Sequence, residues 1–229
     1  MPKPQILLVS SKPIFNLDLI APLGTLTTGD TSILFSVLLQ NTMENISSIK
    51  SDLEFSVFID QKDQDSVPEE IKSADLKYFV PASGYNQLSD YILKKIHSGN
   101  TQFIIIFANT IGFSPNEYNK AINFLNYDDN AILLGKSPDE KTSLIAFNYY
   151  DQKLFENICD INPDIDTLVR RINPMDYFLF IQNGYQFVNN LDDFRKLYRM
   201  LSTKESIEYC SHHMHEQFTH LFIEYKESL

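Results

Sequence analysis

Two stretches of the chain hold side chains whose type and spacing could do chemistry. In FIIIFANTIGFSPNEY, residues 103–118, a run of apolar residues ends at Asn109 and a helix start follows at Ser114. The crevice beyond the carboxyl ends of parallel strands is where α/β proteins bind ligands, and here the strand tip is an amide. A carboxamide offers an oxygen and an NH2 group but no charge to offset a cation. An asparagine at a strand end also serves simply to cap a turn. In CSHHMHEQFTH, residues 210–220, a helix would place His213, Glu216 and His220 near one face and His212 and His215 on the next. A surface Zn²⁺ or Ni²⁺ site is geometrically possible there. No two of these histidines are four residues apart, the spacing needed to bracket a catalytic metal on one helix. A solvated or packing face of a terminal helix is therefore the simpler reading. Cys210 falls on the apolar stripe of the same helix and reads as core rather than nucleophile. Neither a Gly-rich phosphate loop nor a nucleophile elbow occurs.

Holding Asn109 at the mouth of a crevice requires a buried strand, and the pattern supplies one. Phe103–Ala108 is apolar at every position, as strands covered on both faces are. Strands and helices alternate before it: Ile6–Val9, a helix over Thr31–Ile49 with Ile33, Val37 and Leu38 on one face, and a strand through Phe55, Val57 and Ile59. A charged loop over Asp60–Glu70, an extended Tyr78–Pro81 and a helix through Leu88–Ile96 come next, with Ser98-Gly99-Asn100 as the stop. After Asn109, Ser114-Pro115-Asn116-Glu117 has the form of a capping box with proline at the first helical position, opening a helix with the stripe Tyr118, Ala121, Ile122 and Leu125. Ala131–Leu134 and Leu144–Phe147 are joined by a loop too short for a parallel crossover, which predicts an antiparallel pair. A helix over Asp164–Ile172, a strand at Tyr177–Ile181, an extended Tyr185–Val188 and a helix at Leu191–Leu201 complete this part. A long helix over Glu205–Lys226 follows, its stripe formed by Ile207, Cys210, Met214, Leu221, Phe222 and Tyr225.

The 229 residues, 43% hydrophobic, suit one large domain. A net charge of −11 would repel a nucleic-acid backbone or an anionic membrane surface, so neither is an expected partner. Cys159 and Cys210 are far apart and form no metal or redox spacing, consistent with a reducing compartment. The sequence shows neither a membrane-length apolar run nor the ordered regions of a signal peptide, and a cytoplasmic protein is expected.

Three places carry a resemblance to a bacterial family of nucleotide-diphospho-sugar transferases whose reactions are mostly unestablished. ILLVSSKP…APLG is similar to the family's first strand and loop. FIIIFANTIGFSPNEYNKAINFL is similar to its strand, Ser-Asp-Cys-Pro tip and Thr-Pro-Glu helix start. NAILLGKSPDEKTSLIAFN is similar to its Val-Leu-Gly-Pro strand, Glu-Asp-Gly-Gly loop and returning strand. FVNNLDDF is a weaker fourth match, to Asp-Val-Asp-Thr-x-Glu-Asp-Leu. The resemblance runs over roughly residues 5–200. It implies a glycosyltransferase-A-like α/β fold: a three-layer, mixed and mostly parallel sheet with helices on both faces, over residues 1–201. Residues 202–229 are then a C-terminal amphipathic helix packed on the domain or on a partner.

The same resemblance implies a crevice formed by Ser10, Ser11, Lys12, Asn109, Lys136, Asp139 and Asn189, and there the chain departs from the family. Asn109 stands where the family has the aspartate suited to hold a divalent cation on a nucleotide diphosphate, and Mg²⁺ is usually anchored by carboxylates. NLDLIAP replaces Lys-Thr-Arg-Leu, and no Lys or Arg occurs between Lys12 and Lys50, so a diphosphate would meet Asp18 instead of a guanidinium. Of Glu-Asp-Gly-Gly only Asp139 remains, with Glu140 and Lys141 adding side chains where glycines let a backbone approach. Asn189 stands at an aspartate position of the fourth match. Read without the family, Lys12 is a surface lysine, Asp139 a turn residue and Lys136 a strand-end lysine.

These departures predict a degenerate member without metal-dependent catalysis, with no catalytic residue, no metal ligand and no cofactor of the Mg²⁺ or Mn²⁺ type, binding a nucleotide or nucleotide-sugar weakly if at all. One alternative is an active nucleotide-sugar or nucleotidyl transferase with a rewired site, which requires Asp18, Asp60 and Asp139 to converge. Another is a homodimeric interaction protein working through residues 202–229.

Overall fold

The structure, a computed structural model, describes residues 3–10, 12–72, 74–80, 84–99, 101–127, 129–151 and 164–229, with the side chains of 84–86 left aside. Ser11 and Cys159 lie outside the described residues. The order is β1 (Gln5–Val9), α1 (Thr28–Ser47), β2 (Glu54–Asp60), α2 (Glu69–Lys72), β3 (Leu76–Phe79), α3 (Gly84–His97), β4 (Phe103–Phe107), β5 (Thr110–Ile111) and α4 (Pro115–Leu125). Then come β6 (Ala131–Lys136), β7 (Thr142–Phe147), α5 (Ile165–Ile172), β8 (Phe178–Asn183), β9 (Gln186–Phe187), α6 (Leu191–Leu201) and α7 (His212–Glu224). Seven strands form one sheet in the order β3-β2-β1-β4-β7-β6-β8, and β5 pairs with β9 in a small second sheet. Within the seven-stranded sheet β7 alone among the described strands runs against its neighbours, and β5 and β9 are antiparallel to each other. The expected mixed, mostly parallel sheet with helices on both faces is thus present, as is the antiparallel β6–β7 pair.

Alternation along the central strands explains why they are apolar throughout. Ile6, Leu8, Ile104 and Ile106 point into a core with α1 and α4, whereas Leu7, Val9, Phe103, Ile105 and Phe107 point into a second core with α3 and α5. The two cores place helices on both sides of the sheet and aim all parallel strand ends one way. Local signals for the flanking elements hold as well. Gly99 takes φ +97° after α3, and Ser114 Oγ accepts from Glu117 N–H at 3.2 Å at the start of α4. The capping box is half-formed, because the Glu117 carboxylate accepts from Lys120 at 2.8 Å and from the Tyr185 hydroxyl at 3.2 Å.

Two expectations are corrected. Ile33 does not lie on the buried face of α1; it is 48% exposed, and Leu34, Val37 and Leu38 are the residues packed beneath α6 and α7. Periodicity missed this because α1 is covered on two sides, by the sheet and by the C-terminal helices, which blurs a one-face pattern. The single helix expected over Glu205–Lys226 is instead a 3-10 turn, Lys204–Glu208, then a break and α7, with Ile207 exposed. The break has a tertiary cause: the Tyr209 carbonyl accepts from Asn41 and Asn45 of α1 at 2.9 and 2.7 Å, and Ser211 Oγ caps α7 by accepting from Met214 N–H. Met214, Phe218, Leu221 and Phe222 then pack against α1 and α6 of the same chain. No helix among the described residues is long and apolar enough to cross a membrane.

This C-terminal core predicts an alkaline limit. Burial pushes the Cys210 thiol and the Tyr209 hydroxyl up to about 12, from ordinary values of 9.0 and 10.0. The unfolded chain therefore releases these protons first, and the stability they contribute is present below about pH 9 and lost as pH rises toward about 12. The urea midpoint should fall across that window, while Cys210 in the native protein resists alkylation at pH 8 to 9 in mass-spectrometric mapping.

Candidate functional site at the strand ends

The loop leaving β1 is held by a carboxylate from the 3-10 turn Gln61–Asp63 that follows β2. Asp63, fully buried, accepts backbone N–H groups of Ile14, Phe15 and Asn16 at 2.7, 2.9 and 2.8 Å. Beneath that loop, Ser10 Oγ donates to the Lys12 carbonyl at 2.7 Å. The Lys12 ammonium donates to Asn189 Oδ1 at 2.5 Å, and loss of surrounding water lowers its pKa although the residue as a whole is exposed.

Asn109 acts as a clasp. Its Nδ2 donates to the Val188 carbonyl at 2.9 Å, and Val188 N–H donates back to the Asn109 carbonyl at 2.9 Å. The amide thereby ties the β4 tip to the end of β9, 79 positions away, a long-range link rather than a local turn cap. Ser10, Lys12, Ile14, Phe35 and Asn109 close down to a cavity of about 20 Å³, room for one water. Beside it, a pocket of about 450 Å³ is lined by Lys12, Ile20, Pro22, Leu23, Phe35, Asn189 and Leu191 among others, and among the described residues Lys12 is its only cationic lining residue.

The other expected residues lie across a short polar bridge. Asn189 N–H donates to Asp193 Oδ2 at 3.0 Å; Lys196 Nζ is 3.3 Å from Asp193 Oδ1 and 4.0 Å from Asp139 Oδ1. Asp139 is also held by Ser137 Oγ at 2.9 Å, and Lys136 pairs with Glu140. Burial, reinforced by nearby Asp139, raises the Asp193 pKa against the opposing hydrogen bond from Asn189. The bridge leads to a second pocket of about 620 Å³ that includes Lys136, Glu140, Tyr185, Lys196, Arg199 and Met200.

Fold geometry thus brings Ser10, Lys12, Asn109 and Asn189 together and joins them to Asp139 through Asp193 and Lys196, whereas Lys136 pairs with Glu140. Asp63, Asp193, Lys196 and Arg199 escaped the sequence reading. The i, i+3 spacing of Asp193, Lys196 and Arg199 after FVNN was the available signal for three of them; nothing local marks Asp63. Asp18 is exposed, whereas Asp60 is buried and its Oδ1 accepts from Lys62 N–H at 3.0 Å. Among the described residues no group of three His, Cys, Asp or Glu is placed to hold a metal ion, the C-terminal histidines included. His215 Nε2 instead lies 2.8 Å from the Leu201 carbonyl.

No family model matches the sequence, and no curated protein matches it significantly. Solved structures do match. A Desulfovibrio desulfuricans G20 protein named as a nucleotide-diphospho-sugar transferase superposes with a TM-score of 0.72 at 16% identity, over 100% of this chain and 97% of that one. A cytidylyltransferase from Leptospira borgpetersenii gives 0.53 at 13% identity, over 100% and 96%. A Mycobacterium tuberculosis H37Rv protein in complex with manganese gives 0.51 at 10% identity, over 87% and 99%. Element order, strand pairing and these superpositions together give the chain the glycosyltransferase-A-like fold shared by nucleotide-diphospho-sugar transferases and cytidylyltransferases.

Proposed function

We propose that this protein is a nucleotide-binding member of the nucleotide-diphospho-sugar transferase fold that has lost metal-dependent transfer. The observation that carries the reading is Asn109. At the strand tip its NH2 group faces the Val188 carbonyl, and its neutral oxygen cannot balance a divalent charge. Among the described residues the pocket beside it has one cation, Lys12, for a diphosphate, and its apolar lining suits a base or sugar face. The likeness to a cytidylyltransferase favours a nucleotide as ligand. The Asn109 amide and the Lys12 ammonium are a poor donor set for a divalent ion.

Calorimetric titration with CTP and with UDP-glucose, each with and without Mn²⁺ and Mg²⁺, tests the reading. Weak binding indifferent to the metals is expected; micromolar, metal-dependent binding would overturn it. Asn109→Asp sharpens the test. A carboxylate against the Val188 carbonyl should destabilise the free protein by about 1–3 kcal/mol, and Mn²⁺ should raise the melting midpoint of the variant but not of the wild type. An active transferase with a rewired site is the second reading, favoured by Asp139 and Asp193 both lying within 4.0 Å of the Lys196 ammonium. Release of pyrophosphate or UDP from the same ligands would select it.

A further inference from the structure

The seven-stranded sheet ends in two edges of different build. β3, at one edge, is four residues long and carries Lys77, paired with Asp75 at 2.6 Å. A short strand and a lysine are devices by which a sheet edge avoids pairing with another chain. β8, at the other edge, has neither. Its six residues, FLFIQN, run without a charge, a proline or a bulge in their register with β6. Phe178 N–H donates to the Asn130 carbonyl on the β6 side, so the alternate residues Leu179, Ile181 and Asn183 turn their N–H and C=O groups outward. No hydrogen bond from a described residue reaches those outward groups.

The side chains along this edge are apolar and open. Phe178 and Phe180 are 47% and 46% exposed. Both rings lie against Phe124 of α4, with centroids 5.5 and 5.4 Å away, and exposed Tyr127 stands 5.9 Å from Phe178. Charge is confined to the two ends of the strand. Exposed Asp129 and Asp176 precede β6 and β8, whereas Lys136, Lys196 and Arg199 surround the end where those strands finish.

We propose that β8 is the surface through which two copies of this chain join, antiparallel and edge to edge, into one continuous sheet. A strand paired antiparallel with itself is self-complementary, as a two-fold interface requires. That orientation sets the acidic end of each copy beside the cationic end of the other, and the uncharged strand between lets two chains of net charge −11 approach. Outward residues must face outward residues, so the axis passes through a residue; at Phe180 it brings the exposed rings of both copies together. Leu179 then bonds the partner's Ile181, and the two Phe180 side chains form a non-hydrogen-bonded pair, the closer kind. The terminal helix is less available, because Met214, Phe218, Leu221 and Phe222 pack against α1 and α6 of their own chain.

Light scattering after size exclusion of the full chain, loaded at about 100 µM and then diluted, should show twice 26.5 kDa and dissociation on dilution. Ile181→Pro removes an outward N–H and no bond to β6, and Phe180→Lys sets two ammonium groups face to face at the axis. Each should raise the dissociation constant about tenfold or more, with circular dichroism still reporting a folded chain. Phe180→Cys should give a disulfide-linked dimer on mild oxidation, since such strand neighbours lie within disulfide reach. Ile207→Cys, on the exposed turn before α7, should not, and Ile223→Lys on α7 should leave the dimer unchanged. A wild-type monomer at the loading concentration, a dimer indifferent to both β8 substitutions, dissociation by Ile223→Lys, or equal cross-linking through Ile207→Cys would each overturn the proposal.

Discussion

Asp63→Ala is expected to lower the unfolding free energy by about 3–5 kcal/mol, since removing one buried carboxylate orphans three backbone donors at about 1–3 kcal/mol each with partial relief by water. The donors belong to Ile14, Phe15 and Asn16, so the loss falls on the segment that walls the proposed nucleotide pocket. At the ~2–4 °C per kcal/mol typical of a domain this size, the melting midpoint should drop by roughly 10 °C. Asp63→Asn tests the mechanism more closely, because one amide group then faces donors instead of accepting from them. It should recover less than half of the loss. Urea denaturation measures the stability, and limited proteolysis should show new cleavage between Lys12 and Gly24. A loss below 1 kcal/mol in both variants would mean that the loop is held by its apolar contacts, chiefly Ile14.

Gly112→Ala should cost about 3 kcal/mol or more, combining a forbidden backbone angle with an overpacked contact. Gly112 has φ +110°, and a Cβ there would stand 2.5 Å from the Gly184 carbonyl oxygen and 3.2 Å from Tyr185 Cα. Both neighbours are backbone and cannot rotate away as a side chain would. The damage should spread to function, because Gly112 follows the Asn109 clasp while Gly184 and Tyr185 line the second pocket. Nucleotide binding by the variant should therefore weaken in calorimetric titration. An unchanged urea midpoint would show that the β5 and β9 segments can separate freely.

Much of the architecture was legible because its causes are local. The unbroken apolar run of β4 implies cover on both faces, Ser114 and Pro115 announce α4, and α6 keeps the expected bounds Leu191–Leu201. The short loop at 137–141 makes β6 and β7 antiparallel whatever the rest of the chain does. Where periodicity failed, a distant partner intervened. The stripe through Ile207 and Tyr225 looks continuous, yet Asn41 and Asn45 on α1 draw the Tyr209 carbonyl out of the helical ladder.

The candidate site divides along the same line. Residue types alone were enough to establish that the strand tip lacks a carboxylate and that the first loop lacks an arginine, since charge is a property of composition. Which partners those residues meet was beyond one-dimensional pattern: Lys12 reaches Asn189 across 177 positions, and Asp63 reaches Ile14 across 49. Hydrogen bonds and ion pairs act over about 3–4 Å in space, so the clasp at Asn109 and the Asp193–Lys196–Asp139 bridge came into being only when the chain folded.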